Sequence, residues 1–298
     1  MRHADQVQQT FDRLVEWGQA RDEVRAIVLT STLAIPNGQV DALSDYDPIV
    51  VVKDIHPFFE SRAWLGDFGP VLVVYRDPIL LYYGEENFGC VTQYEDGLKI
   101  DFTLWPVALM QKVAADPKLP EEFDAGYRVL LDKDGLTRGL KPPTYQGYIP
   151  QPPTEEEYLE RVELLFQNAT YVAKFLWRDD LVAAKHVLES GMRQDDLLPM
   201  LVWHIEIDHD WSWKPGPYGR GLKRRLRPDL WAQLEKTYAG PGLEESWVAM
   251  WQTIDLFRQV AIEVGDKLGY AYPHDIDRRA TAYLRKVENL DRDAEVFA

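Results

Sequence analysis

The chain has 298 residues, of which 46% are hydrophobic and 28% are charged. This length allows two domains of ordinary size, and no apolar stretch is long enough to suggest a membrane span. Lys and Arg number 33 against 49 Asp and Glu, so the formal net charge of −16 would repel a nucleic-acid backbone and attract cationic small molecules. We therefore expect neither a nucleic-acid nor a membrane partner.

The N-terminal segment predicts a helix over residues 4–21, because Val7, Phe11, Leu14 and Val15 recur with helical spacing. Its charged, amphipathic pattern differs from that of a secretory signal peptide. The single cysteine, Cys90, cannot form an internal disulfide, and we expect it to be a small buried hydrophobic residue. These features predict a cytoplasmic protein, which we expect to be a monomer.

Short runs rich in Val, Ile, Tyr and Phe come next and predict β-strands. They cover residues 24–30, 48–54, 71–77, 90–96, 98–105 and 127–135, with helical segments near 57–65 and 106–114. Asp96-Gly97 lies between two of these runs and predicts a hairpin turn, since Gly adopts positive φ angles readily. Residues 1–140 are thus predicted to form a mixed β-sheet with flanking helices.

A proline-rich segment, KPPTYQGYIPQPP at 141–153, predicts a linker, because proline can neither continue a helix nor donate a backbone hydrogen bond. Thr154 and Glu157 then have the spacing of a capping box. Beyond them, apolar residues recur with helical periodicity through 154–177, 180–211, 220–238, 243–268 and 274–289. Residues 154–298 are predicted to be an all-α helical bundle, which makes the whole chain α+β.

Two carboxylates, Asp45 and Asp47, stand directly before the apolar run at 48–52. In an extended chain both side chains would leave the same face and repel each other unless a cation lay between them. Asp101 lies inside the apolar strand KIDFTLW, where an isolated buried carboxylate would be costly. If the three acids meet, they predict a Mg²⁺ site, and the small turn at Thr30-Ser31-Thr32 could bind phosphate oxygens.

These segments resemble the DNA-polymerase-β-like nucleotidyltransferase superfamily and, more closely, the aminoglycoside 6-adenylyltransferase (streptomycin adenylyltransferase) family. The resemblance covers nearly the whole chain. It rests on TSTLAIPNG followed by LSDYDPIVVV, on KIDFTLWP, and on MLVWHIEIDHDWSWKPGPYGRGLKRRL. It implies a Mg²⁺-dependent transfer of AMP from ATP to a hydroxyl of a cationic aminoglycoside, with the 6-hydroxyl of streptomycin as acceptor and antibiotic resistance as the result.

By position, the resemblance implies that Asp45 and Asp47 are Mg²⁺ ligands and that Asp101 is a third ligand or the catalytic base. It also implies that Ser31 and Thr32 contact the triphosphate. The turn departs from the family pattern Gly-Ser-Arg, because Thr30 and Thr32 replace the glycine and the arginine, and Pro48 replaces an aliphatic residue.

In the helical part, which would bind the substrate, Lys214 and Lys223 are the candidates for contacts to the nucleotide phosphates. Glu206, Asp208 and Asp210 are candidates for binding the ammonium or guanidinium groups of the antibiotic, although an exposed helix end would explain them equally well.

Two alternative functions stay open from the sequence. The acceptor could be a lincosamide or another aminoglycoside, or the protein could be a non-catalytic nucleotide-binding or antitoxin-like module, which Thr30 and Thr32 favour.

Overall fold

The computed structural model describes residues 3–36, 38 and 40–297. Contacts within the chain divide it into two compact units, Met1–Tyr148 and Ile149–Ala298. The division falls inside the proline-rich segment 141–153. The first half of that segment is attached to the first unit, because the Asp124 carboxylate accepts hydrogen bonds from the backbone N–H of Thr144, at 2.8 Å, and from its hydroxyl, at 2.6 Å.

The first unit contains one mixed β-sheet, seven-stranded within the described residues, with strand order β3-β5-β6-β2-β1-β7 and β4 paired to β5. Its strands are β1 (Val24–Thr30), β2 (Asp47–Val52), β3 (Val71–Arg76), β4 (Leu80–Tyr82), β5 (Glu85–Tyr94), β6 (Lys99–Pro106) and β7 (Arg128–Asp132). β2 and β6 are parallel, and the other pairs are antiparallel. The predicted strands and the hairpin at Gly97, whose φ is 91°, are present, whereas the short β4 was not predicted.

Helices cover both faces of this sheet. They are α1 (His3–Gln19), α2 (His56–Glu60), a 3-10 helix (Ala63–Phe68), α3 (Val107–Ala115) and α4 (Glu121–Asp124). Ile27 of β1 lies in one core cluster with Leu14 of α1, while its neighbour Val28 lies in a second cluster with Met110 of α3. Strands β1 and β2 are therefore buried on both faces, which explains their unbroken apolar sequences. Cys90 is buried, as predicted.

The second unit is helical in the part that the structure describes. It consists of α5 (Glu155–Trp177), α6 (Leu181–His186), a π-helical segment (Val187–Leu197), α7 (Leu198–Asp208), two 3-10 turns (Pro217–Gly219 and Leu222–Arg224), α8 (Pro228–Lys236), α9 (Leu243–Leu268) and α10 (His274–Glu288). Thr154 and Glu157 form the predicted capping box at the start of α5.

The helix predicted over 220–238 begins only at Pro228. Gly219 and Gly221, with φ angles of 79° and 85°, interrupt the helical backbone before it.

The expected α+β class with a helical C-terminal part is confirmed. Among the described residues no helix combines the length and the apolar character that crossing a bilayer requires.

Candidate active site

The sheet topology brings the predicted acids of the first unit together. Antiparallel pairing of β1 with β2 sets Thr30 opposite Asp47, so the end of β1 meets the start of β2. In the parallel pair, Ile49 lies opposite Thr103, and the same register carried back two residues sets Asp47 opposite Asp101. The three strand ends therefore meet at one edge of the sheet.

Asp101 lies on the half-buried face of β6. On β6 the fully buried positions are Ile100, Phe102 and Leu104, and Asp101 alternates with them on the other face. Its side chain is 26% exposed. Asp101 is therefore half-buried on a face that it shares with Lys99 and Thr103, and it is not isolated, because Lys99 contacts it.

Lys99 is the functional candidate that the sequence analysis missed. Its Nζ lies 2.6 Å from Asp45 Oδ2 and 2.9 Å from Asp101 Oδ2, so one ammonium bridges two of the predicted acids. Burial lowers the pKa of Lys99, but its hydrogen bonds to the two carboxylates outweigh this effect and raise it. The position of Lys99 two residues before Asp101 on one strand was the available signal, because residues at that spacing share a face.

The acids of this cluster are electrostatically coupled. Burial, followed by repulsion from Asp101 and Asp45, raises the pKa of Asp47 to about 6, although a side-chain hydrogen bond with Ser31 and the charge of Lys99 oppose the shift. Burial is also the main reason why the pKa of Asp101 is raised. Both carboxylates are thus held where a negative charge is unfavourable, and an additional cation would stabilise their ionised forms.

The turn after β1 differs in detail from the expectation. Ser31, with φ of 62°, has the left-handed backbone, whereas Thr30 is a buried strand residue whose Oγ1 donates to Asp47 O at 3.2 Å. The family glycine at position 30 is therefore not needed here for a positive φ angle. Thr32 lies in the turn that follows. A Cβ on residue 38 would lie 2.1 Å from Thr32 O, so only glycine fits at position 38.

The carboxylate oxygens at this edge of the sheet are ligands that a hard divalent cation prefers. Asp47 interacts electrostatically with Asp45 and Asp101, and Asp101 Oδ1 is buried with no hydrogen-bond partner among the described residues. A ready-made group of three His, Cys, Asp or Glu side chains in metal-binding arrangement does not occur in residues 3–36, 38 and 40–297. The cation between Asp45 and Asp101 in this structure is instead the Lys99 ammonium.

The three acids predicted to bind substrate lie at the end of α7 in the second unit, but they differ in exposure. Glu206 is fully buried: its Oε2 accepts the backbone N–H of Trp213 at 3.1 Å, and burial raises its pKa. Asp208 is exposed and forms an ion pair with Lys267, which lowers the pKa of Asp208. Asp210 is exposed and has a left-handed backbone, with φ of 50°.

The two lysines predicted to contact phosphates also belong to the second unit. Burial lowers the pKa of Lys214, which lies in the loop after α7. Lys223 is exposed on the second 3-10 turn, and its Nζ lies 5.1 Å from the centre of the Trp231 ring.

This chain is similar to known proteins over most of its length. A family model described as streptomycin adenylyltransferase matches residues 1–287. Aminoglycoside 6-adenylyltransferase from Bacillus subtilis (strain 168) is 28% identical over 283 residues, which cover 94% of this chain and 97% of that protein. The protein of the same name from Campylobacter jejuni is 28% identical over 269 residues, with coverage of 89% and 90%. A crystal structure of an aminoglycoside 6-adenyltransferase from Bacillus subtilis matches at 26% identity and a TM-score of 0.48, covering 94% of this chain and 97% of that one.

The family match extends through both units, from the strand ends that hold Ser31, Asp47 and Asp101 to the helices of the second unit. The order of these residues along the chain is also the order on which the resemblance rested. The chain therefore belongs to the streptomycin adenylyltransferase family and is an adenylyltransferase enzyme.

Proposed function

We propose that this enzyme transfers AMP from ATP to a hydroxyl of a cationic aminoglycoside, and that the 6-hydroxyl of streptomycin is the acceptor. The observation that carries the proposal is the meeting of Ser31, Asp47 and Asp101 at one edge of the sheet, in a chain of this family. Relatives with 28% identity are named aminoglycoside 6-adenylyltransferases. The net charge of −16 also suits a cationic acceptor.

In this proposal Asp45 and Asp47 hold Mg²⁺, which when bound would neutralise triphosphate charge and polarise the α-phosphoryl group. Ser31, Thr32 and the backbone N–H groups of their turn bind phosphate oxygens. The acceptor oxygen attacks the α-phosphorus and its proton passes to a carboxylate, while the bond to the leaving pyrophosphate breaks. The product is the adenylylated antibiotic.

Asp101 is proposed either as the third metal ligand or as the base that takes this proton, and its raised pKa makes it a stronger base. The variant Asp101→Asn separates the two roles. Loss of a metal ligand would weaken Mn²⁺ binding, whereas loss of the base would leave Mn²⁺ affinity near that of the natural protein and lower kcat. An acid of the helical unit is the other candidate for the base.

In the helical unit, we assign antibiotic binding to Asp210 and Asp208, which are exposed. Glu206 is assigned to the same region in an indirect role, because its buried carboxylate holds the backbone of Trp213. Lys214 and Lys223 are proposed to contact the nucleotide phosphates, where cationic side chains would offset the charge of the triphosphate.

The test is mass detection of adenylylated product after incubation with Mg²⁺, ATP and a panel of streptomycin, other aminoglycosides and a lincosamide. We expect modified streptomycin with the natural protein. Asp47→Asn should lower turnover by about a hundredfold or more while the folded spectrum is unchanged, because a lost contact to developing charge costs about 3 kcal/mol.

Product with another acceptor only would move the proposal to that acceptor, and no transfer to any member of the panel would overturn it. We also expect expression of the natural protein in a sensitive bacterium to raise the inhibitory concentration of streptomycin. Expression of Asp47→Asn at the same level should not.

A further inference from the structure

Lys99 lies between two acids that come from different strands of the sheet. Its Nζ contacts Asp101 Oδ2 on its own strand at 2.9 Å, and Asp45 Oδ2, from the segment before β2, at 2.6 Å. The three side chains are 26–38% exposed, so the cluster is open to ions from solvent. Each contact is a charge-assisted hydrogen bond.

One ammonium is not enough to balance the charge of this cluster. With all three acids ionised, Asp45, Asp47 and Asp101 supply three negative charges and Lys99 supplies one positive charge, which leaves two negative charges. Among the ion pairs of the described residues, Lys99 is the cation that contacts Asp45 and Asp101, and Asp101 Oδ1 has no partner there. The remaining charge equals that of a divalent cation in magnitude.

An ion that binds Asp45 and Asp101 through these Oδ2 atoms would take the place of Lys99. A metal ion and an ammonium cannot both lie in hydrogen-bonding or coordinating distance of the same two oxygens without strong repulsion. Binding of the ion at that position therefore requires the Lys99 side chain to leave, which its flexible four-carbon stem allows.

We propose that Lys99 is an internal counter-ion that holds Asp45 and Asp101 together in the metal-free protein and competes with a divalent cation for them. The inference rests on the proposed metal-dependent function. The proposal gives a positioning role to Lys99, which is not one of the three acids Asp45, Asp47 and Asp101. Removing the ammonium should strengthen binding of the ion and weaken the metal-free fold.

The experiment measures Mn²⁺ binding to the full-length protein by electron paramagnetic resonance, at neutral pH and without nucleotide. We expect Lys99→Gln to bind Mn²⁺ about tenfold more tightly than the natural protein, because the competing charge is gone. The matched control is Lys53→Gln, which removes a lysine paired with Asp22 at 2.5 Å and lies at the other end of β2, about 20 Å from Asp47 along the strand.

Thermal unfolding gives a second readout. In the presence of a chelator, Lys99→Gln should unfold at a lower temperature than the natural protein, and saturating Mn²⁺ should remove the difference. Lys99→Arg keeps the charge and can bridge two carboxylates, so it should bind Mn²⁺ no more tightly than the natural protein.

The inference is overturned if Lys99→Gln binds Mn²⁺ no more tightly than the natural protein, or if Lys53→Gln tightens binding equally. Tighter binding by Lys99→Arg would also overturn it. In each of these cases AMP transfer by the natural protein would leave the proposed function standing. If neither the natural protein nor Lys99→Gln binds Mn²⁺, with or without ATP, both the inference and the metal-dependent mechanism are wrong.

Discussion

The Ser31 side chain lies near the Asp47 carboxylate and lowers its pKa, at the point where the end of β1 meets the start of β2. Ser31 is also the residue whose backbone is left-handed, with φ of 62°. For a residue with a Cβ atom this conformation costs about 1 kcal/mol or more. The strained residue therefore lies at the candidate active site, beside a carboxylate whose pKa it lowers.

Two substitutions separate the strain at Ser31 from the effect of its hydroxyl on Asp47. Both Ser31→Ala and Ser31→Gly lose the hydroxyl, but only Ser31→Gly relieves the backbone strain. We expect Ser31→Gly to be about 1 kcal/mol more stable than Ser31→Ala in urea unfolding. Both variants should raise the pKa of Asp47, because the Ser31 hydroxyl that they remove lowers this pKa in the natural protein. Equal stability of the two variants would contradict the left-handed assignment.

Restoring the family residue should tighten ATP binding at position 32 but not at position 30. Thr32→Arg should tighten ATP binding about tenfold, the ~1.4 kcal/mol expected of one charge-assisted contact. Thr30→Gly should not help, because Thr30 lies in β1 and loses its hydrogen bond to Asp47 O. Calorimetry with Mg²⁺ and ATP tests both, with Thr32→Gln as the uncharged control. Tighter binding by Thr30→Gly would contradict a role for the Thr30 hydroxyl in holding the end of β1 beside Asp47.

Binding of the metal ion should depend on pH through Asp47. Its pKa is raised to about 6, and only the ionised carboxylate can act as a ligand. At about pH 5 roughly one-tenth of Asp47 would be ionised, so Mn²⁺ affinity should be about tenfold weaker than at pH 8. The same titration on Asp47→Asn should lack this change. A flat profile for the natural protein would contradict the raised pKa.

The buried acid Asp196, in the π-helical segment, should control how stability varies with pH. Asn168 Nδ2 donates to Asp196 Oδ2 at 2.8 Å, and burial raises the pKa of Asp196 to about 6. A raised pKa stabilises the fold while the group is protonated, and this contribution is lost as the pH rises from about 4 through 6. Asp196→Asn should therefore add about 3 kcal/mol at pH 8 and almost nothing near pH 4. Asp195→Asn, at an exposed neighbouring position, is the control in urea unfolding.

Binding of streptomycin should depend on the charge of Asp210. Its left-handed backbone is one that asparagine also adopts readily, so Asp210→Asn changes the charge with little strain. We expect affinity to fall about fivefold, and its decrease with added salt to become shallower. Asp179→Asn is the matched control, because Asp179 is exposed in the same unit and has a φ of 63°. An equal effect of both variants would point to the net charge of the protein instead.

The sequence by itself determined most strands and helices of both units and the identity of the acids. β1 and β2 are buried on both faces, so their apolar runs are continuous, and the helices of the second unit repeat with a period close to 3.6. Ser31, Asp45 and Asp47 flank such runs, which made them visible without any tertiary information. These signals are local, since they depend on which residues follow one another along the chain.

Only the tertiary structure decided which side chains meet. The contact of Lys99 with Asp45 depends on where the segment before β2 lies beside β6, because the two residues are 54 positions apart in sequence. The burial of Glu206 depends on the loop that returns Trp213 to the end of α7. The left-handed conformation of Ser31 rather than Thr30 follows from pairing of Thr30 with Asp47 in the sheet. Strand register and chain reversal bring distant residues together, and no periodicity within a single segment contains that information.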